Sequence, residues 1–186
     1  GTQLAFADLV LPDVTGLLGP FLQDGSEFMA RSAVFDLFRY DRAMRHSPEN
    51  LAATARWMRL TTGLTRHEGA GLLSLFAFTP AARILDIGGN SGEMARLICA
   101  AYPEIDATVF DLPLVCDLGR THLKDMPEAA RIRFVAGDAL CDTLPGGMDV
   151  AIFKSVLHDW PEEEARRLMD AAIAALKPGG HLLIFE

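Results

Sequence analysis

At 186 residues the chain is long enough for one sizeable domain, or for one domain and part of another. Half of its residues are hydrophobic, which calls for a packed core, yet no apolar run is long enough to span a bilayer. The formal net charge of −8, with no block of Lys or Arg, argues against a duplex nucleic-acid partner. Cys99, Cys116 and Cys141 are odd in number and lack Cys-x-x-Cys spacing, so they read as reduced thiols of a cytoplasmic protein, with no metal implied. No signal peptide stands at the start. The opening Gly1, and a stop at Glu186 directly after an apolar strand, read as the ends of a piece of a longer protein.

Residues 1–80 are predicted to be a helical region. Leu4 to Leu18 is short and apolar, punctuated by Pro12 and Gly16, and Glu27 to Met44 is rich in helix formers. Ser47-Pro48-Glu49 is a helix start, with Ser as cap and Pro at the first helical position. From there Leu51, Ala55, Met58 and Thr62 recur on one face, which reads as a core stripe.

Residues 81–186 alternate strand and helix. Strands are predicted at Ile84–Ile87, Ala107–Phe110, Ile132–Ala136, Val150–Phe153 and Leu182–Phe185, and helices at 91–101, 113–125 and 162–176. This order specifies an α/β chain with a parallel, doubly wound sheet, whose ligands bind outside the carboxyl ends of the strands. Residues ending the strands are therefore the candidates.

The first strand runs into Asp86-Ile87-Gly88-Gly89-Asn90-Ser91-Gly92-Glu93. Glycines at such a turn let backbone approach a ligand, and the helix start behind it offers unpaired N–H groups. The dinucleotide fingerprint fails, because its third and sixth positions are Asn90 and Glu93. The bland alternative is a chain reversal with an Asn90–Glu93 capping box. Asp111 ends the second strand 111 − 86 = 25 residues beyond Asp86, the place from which an acid grips a ribose in nucleotide folds; alternatively it caps the helix after Pro113. Gly137-Asp138 ends the third strand and suits an adenine amine, although Gly-Asp is also ordinary turn chemistry.

After the fourth strand comes Lys154-Ser155-Val156-Leu157-His158-Asp159-Trp160-Pro161. Asp159 and Glu162 form a predicted capping box, and Glu162 and Glu163 can pair with Arg166 and Arg167. His158 has no such structural reason. It is a titratable group facing the crevice, and Glu186 at the end of the neighbouring fifth strand is positioned to orient its ring.

Together, Asp86-x-Gly88-Gly89, Phe110-Asp111-Leu112-Pro113, Gly137-Asp138, Lys154-x3-His158-Asp159-Trp160 and Lys177-Pro178-Gly179-Gly180…Glu186 resemble the caffeate-type small-molecule O-methyltransferases. These S-adenosylmethionine-dependent enzymes serve plant phenolic and bacterial natural-product metabolism. The likeness is specific over 81–186 and looser over 27–79. It implies a Rossmann-like methyltransferase sheet, here partial with strands 1 to 5, as domain 81–186, preceded by acceptor-side and dimerisation-linked helices in 1–80. Cofactor contacts are implied for Asp86, Gly88 and Gly89 around the methionine end, and for Asp111 with Leu112 at the ribose. Asp138 with Ala139 would flank adenine, where the family usually has a larger apolar residue than Ala139. Lys154 would lie near the cofactor, and Met58 and Thr62 match helix positions touching cofactor or acceptor, although their core-stripe spacing is the stronger signal.

In the same resemblance His158 is the base that deprotonates the acceptor hydroxyl, and Glu186 is the first of two acids holding it. Asn90 replaces the usual middle glycine of the turn. The implied partners are a small-molecule acceptor and a second copy, in a homodimer of the complete protein, with two further sheet strands after the fifth. The alternative is a cofactor-binding member that has lost methyl transfer or catalyses another reaction.

Overall fold

The computed structural model describes residues 2–186, and Gly1 lies outside the described residues. Contacts divide the chain into two units, Gly1–Leu64 and Thr65–Glu186. The division falls inside a long helix, ahead of the 80/81 boundary drawn from the sequence.

The first unit holds α1 (Thr2–Gly16), α2 (Leu18–Gln23), α3 (Gly25–Arg31), α4 (Ala33–Leu37), a 3-10 turn at Tyr40–Met44 and the start of α5 (Pro48–Leu75). Pro12 does not end α1, which runs through it to Gly16. The helix-rich stretch 27–44 is three short pieces rather than one helix, because side-chain caps restart the chain. Asp24 accepts from the Ser26 and Glu27 amides to open α3, and the Ser32 hydroxyl accepts from the Phe35 amide at 3.1 Å to open α4. Asp13 of α1 reaches the same point, accepting from the Ala33 and Val34 amides at 3.1 and 3.0 Å. The Ser47 hydroxyl caps α5 through the Asn50 amide, as its sequence predicts. The buried stripe there is Thr54, Met58 and Thr62, whereas Leu51, assigned to it by periodicity, is exposed.

In the second unit the remainder of α5 joins a five-stranded parallel sheet of order β3-β2-β1-β4-β5. The strands are β1 (Arg83–Ile87), β2 (Asp106–Asp111), β3 (Ile132–Ala136), β4 (Met148–Lys154) and β5 (Leu176–Phe185), with α6 (Glu93–Ala101), α7 (Pro113–Leu123) and α8 (Glu162–Ala175) between them. Alternate residues of β1 feed two cores: Ile84 packs with Leu72, Met94 and Ile98 on one face, Leu85 and Ile87 with Leu168 and Ala172 on the other. This is the α/β, Rossmann-like sheet expected. β5 begins earlier than its apolar run, because Leu176 already pairs with Met148; an irregularity follows before His181 pairs with Val150. Connections reverse direction between β1 and β4, which opens the crevice at their carboxyl ends.

Candidate active site

Parallel strands carry Gly88, Asp111, Asp138 and His158 to one rim of the sheet, since each follows or ends a strand at its carboxyl end. The glycine turn is the centre of this rim. Gly88 has φ +67°, and a Cβ there would fall 2.9 Å from Val156 Cγ2, so the turn packs directly on the segment leading to His158. Asn90, in place of a glycine, takes φ +54°, the left-handed conformation that Asn tolerates among L residues. Its side-chain oxygen accepts from the Ser91 amide at 2.8 Å.

The Asn90–Glu93 capping box, the alternative reading of this turn, does not form. Gly92 caps α6 without a side chain, and Glu93 turns into the protein, 1% exposed, where it meets Arg66 at 3.0 Å, Arg96 at 2.8 Å and His122 at 3.1 Å. Burial works to raise its carboxyl, but the Arg96, His122 and Arg66 hydrogen bonds outweigh it and hold the group down at about 2.

Asp111 ties the second strand to the turn. One carboxylate oxygen accepts from the Asn90 amide at 2.8 Å and the other from the Leu112 amide at 2.7 Å. It is a local cap and a rim acid at once, since each oxygen keeps a further lone pair. Burial pushes it up to about 6 against those amides. Asp86, in β1, is buried, and its Oδ2 has no hydrogen-bond partner. A Cβ on Gly89 would lie 2.5 Å from that carboxylate, so only a glycine fits between acid and turn.

Asp138 spends one oxygen on the Leu140 amide at 2.9 Å, the turn chemistry its sequence allows, while Asp142 accepts from the Asp138 amide at 2.8 Å. Ala139 is partly buried beside it. Lys154, 11% exposed at its side chain, pairs with Glu68 of α5 at 2.7 Å. The first unit contains Met58 and Thr62, both buried on α5.

His158 lies in a 3-10 turn, Leu157–Asp159. Its Nδ1 contacts Glu186 Oε2, while the other Glu186 oxygen accepts from the Val156 and Leu157 amides at 3.1 and 3.0 Å. Burial would raise Glu186, but those amides and the ring outweigh it and hold the carboxyl below its ordinary range. Nε2 stands 3.4 Å from Asp159 Oδ1, and the ring is about half exposed. The cap residue of α8 is Pro161, two positions beyond Asp159, and it offers no side-chain hydrogen bond to the helix. Glu162 does pair with Arg166, at 2.9 Å, whereas Arg167 donates to the Leu140 carbonyl.

Sequence reasoning missed Glu68, Arg66 and His122. Their partners are remote in the chain, and no local spacing announces them. Among the described residues no group of His, Cys, Asp and Glu could hold a metal ion. A cavity of about 390 Å³ opens at the opposite, amino end of the sheet, but Asp149, which lines it, is already taken by the Arg83 amide and the Lys177 ammonium.

A family model described as an O-methyltransferase domain matches residues 29–186. A human protein named as a probable bifunctional dTTP/UTP pyrophosphatase/methyltransferase is 33% identical over 151 residues, 81% of this chain and 23% of that protein. The 3-hydroxy-5-methyl-1-naphthoate 3-O-methyltransferase of Streptomyces sahachiroi is 36% identical over 104 residues, 56% of this chain and 30% of the enzyme. Human N-acetylserotonin methyltransferase, solved with S-adenosylmethionine, shares the fold with a TM-score of 0.78 at 23% identity, covering 98% of this chain and 51% of that one. The chain thus spans about half of that structure and a third or less of these curated relatives.

Proposed function

Given that the chain belongs to the O-methyltransferase domain family, we propose that its protein transfers a methyl group from S-adenosylmethionine to a hydroxyl, phenolic by preference, of a small molecule. The observation that carries this reading is the His158–Glu186 pair standing at the same strand-end rim as the glycine turn. The naphthoate substrate in the name of the Streptomyces relative supports a phenolic acceptor.

The residues present fit the cofactor. A turn where Gly89 alone leaves room, a rim acid at Asp111 and an unpartnered buried oxygen on Asp86 suit an adenosyl ligand with a cationic end. Asp111 with Leu112 would take the ribose, Asp138 with Ala139 the adenine, and Gly88, Gly89, Asp86 and Lys154 the methionine end. Met58 and Thr62 are assigned to the same ligand or to the acceptor.

When bound, the cofactor supplies an electrophilic methyl on a positively charged sulfur. The chain supplies orientation and a base. With Nδ1 directed to Glu186, the neutral ring presents Nε2 as proton acceptor, and the acceptor hydroxyl becomes a nucleophile as it gives up its proton there. The imidazolium then lies between the Glu186 and Asp159 carboxylates.

Residues 81–186 are assigned as the cofactor-binding domain and 1–80 as acceptor-side and dimerisation-linked helices. The complete protein is assigned as cytoplasmic, in keeping with three free cysteines, and as a homodimer on the family resemblance alone. His158→Gln in the complete protein should abolish methylation of phenolic acceptors while leaving S-adenosylhomocysteine affinity within about threefold. Equal loss of both would end the base assignment. Binding by wild type without turnover on any hydroxyl acceptor would favour a member that has lost methyl transfer.

A further inference from the structure

The buried charges around the glycine turn do not balance. Asp86 faces Asp111 at the end of β2 and Lys154 at the end of β4, with the Ala95 amide at the first turn of α6, and Lys154 is already engaged by Glu68 of α5. The remaining acid at the start of α6, Glu93, is matched by Arg66, Arg96 and His122. Asp86 and Asp111 thus face each other, and Lys154, the one ammonium beside Asp86, is divided between Asp86 and Glu68. Asp86 is the most enclosed of these three acids, with an oxygen that nothing in the protein donates to, pressed against Gly89 of the turn.

We infer that Asp86 carries a proton before ligand binding and releases it when a cation settles on the glycine turn, so that the sulfonium cofactor, one positive charge richer than its thioether product, binds with the greater proton release. This rests on the reading of the turn as an adenosyl site. An isolated buried carboxylate is costly, and the cheapest remedy is protonation. A fixed positive charge arriving nearby removes that cost and favours the ion. Burial, reinforced by the Asp111 carboxylate, pushes Asp86 up to about 7 against Lys154 and the Ala95 amide, so the exchange falls in the working range of pH. The proton goes to bulk buffer, and one positive charge replaces another. The consequence is selectivity: as pH rises, the sulfonium substrate gains more affinity than the spent product, which keeps only its ammonium.

Calorimetric titration of the complete protein at pH 6.5, in two buffers of different ionisation enthalpy, counts the protons. S-adenosylmethionine should release about half a proton or more beyond S-adenosylhomocysteine, and Asp86→Asn should erase the difference. Between pH 5.5 and 8 the Kd for S-adenosylmethionine should tighten about tenfold, and that for the product by a smaller factor. Equal release with both ligands, or release that survives Asp86→Asn, overturns the inference. Should that variant not fold, the carboxyl carbon resonance of Asp86 in labelled wild type decides, and a group already ionised at pH 5.5 overturns it. Failure of both ligands to bind instead overturns the adenosyl site, and this inference with it.

Discussion

Glu186 does two jobs with two oxygens. One holds the amides of the turn after β4, and the other holds the ring that the turn presents. Because those amides and the ring hold its carboxyl below the ordinary range, the negative charge facing the ring is in place at neutral pH. Glu186→Gln keeps the shape and removes the charge that stabilises an imidazolium. It should lower kcat about 10²-fold with S-adenosylhomocysteine affinity unchanged, as single-turnover kinetics beside calorimetry would show.

Among the elements, α6 matters most, since its start is the cradle and both its ends are pinned. Arg131 donates to the carbonyls of Cys99 at 2.8 Å, Ile105 at 3.0 Å and Tyr102 at 3.3 Å, satisfying acceptors at and just beyond the helix's carboxyl end. Arg131→Met should cost about 1–3 kcal/mol in denaturant unfolding. At the opposite end, Gly88→Ala must displace Val156 and accept φ +67°, and should cost about 2 kcal/mol and weaken product binding measurably. Asn90→Gly, by contrast, should stay within about 1 kcal/mol of wild type, because the left-handed conformation suits glycine and only one partly buried, local hydrogen bond is lost.

What the chain reveals in one dimension is what has a period. The five strands and the acids ending them follow from alternating apolar runs, and the rim follows from those strands being parallel. Caps drawn from spacing alone fared unevenly: Ser47 formed, while α6 and α8 start behind Gly92 and Pro161 rather than from Asn90 and Asp159. Glu93 found two guanidinium groups and an imidazole, and Pro161 set the start of α8 by its own backbone. Glu68 could not be paired with Lys154 by any sequence rule, because 154 − 68 = 86 residues separate them.

At the scale of the whole molecule, acid stability should turn on Glu93. Its folded value of about 2 lies below the ordinary carboxyl value of 4.5, so the stabilisation is complete above the unfolded value and vanishes as pH falls through the folded one. The shift corresponds to roughly 3 kcal/mol. Urea unfolding of wild type should weaken between pH 4.5 and 2 more steeply than that of Glu93→Gln, which should already be less stable at pH 7 by about 3 kcal/mol.

The irregularity in β5 sets the phase of everything beyond it. Side chains alternate faces along a strand, so removing Gly179 from that bend and sliding the remainder by one position would swing the Glu186 side chain to the far side of the sheet. A length change some distance from the rim, at the bottom of the sheet, would thereby strip the imidazole of its orienting acid without altering any residue near it. Indels between 177 and 180 are for this reason a sharper genetic probe of the site than most substitutions beside it.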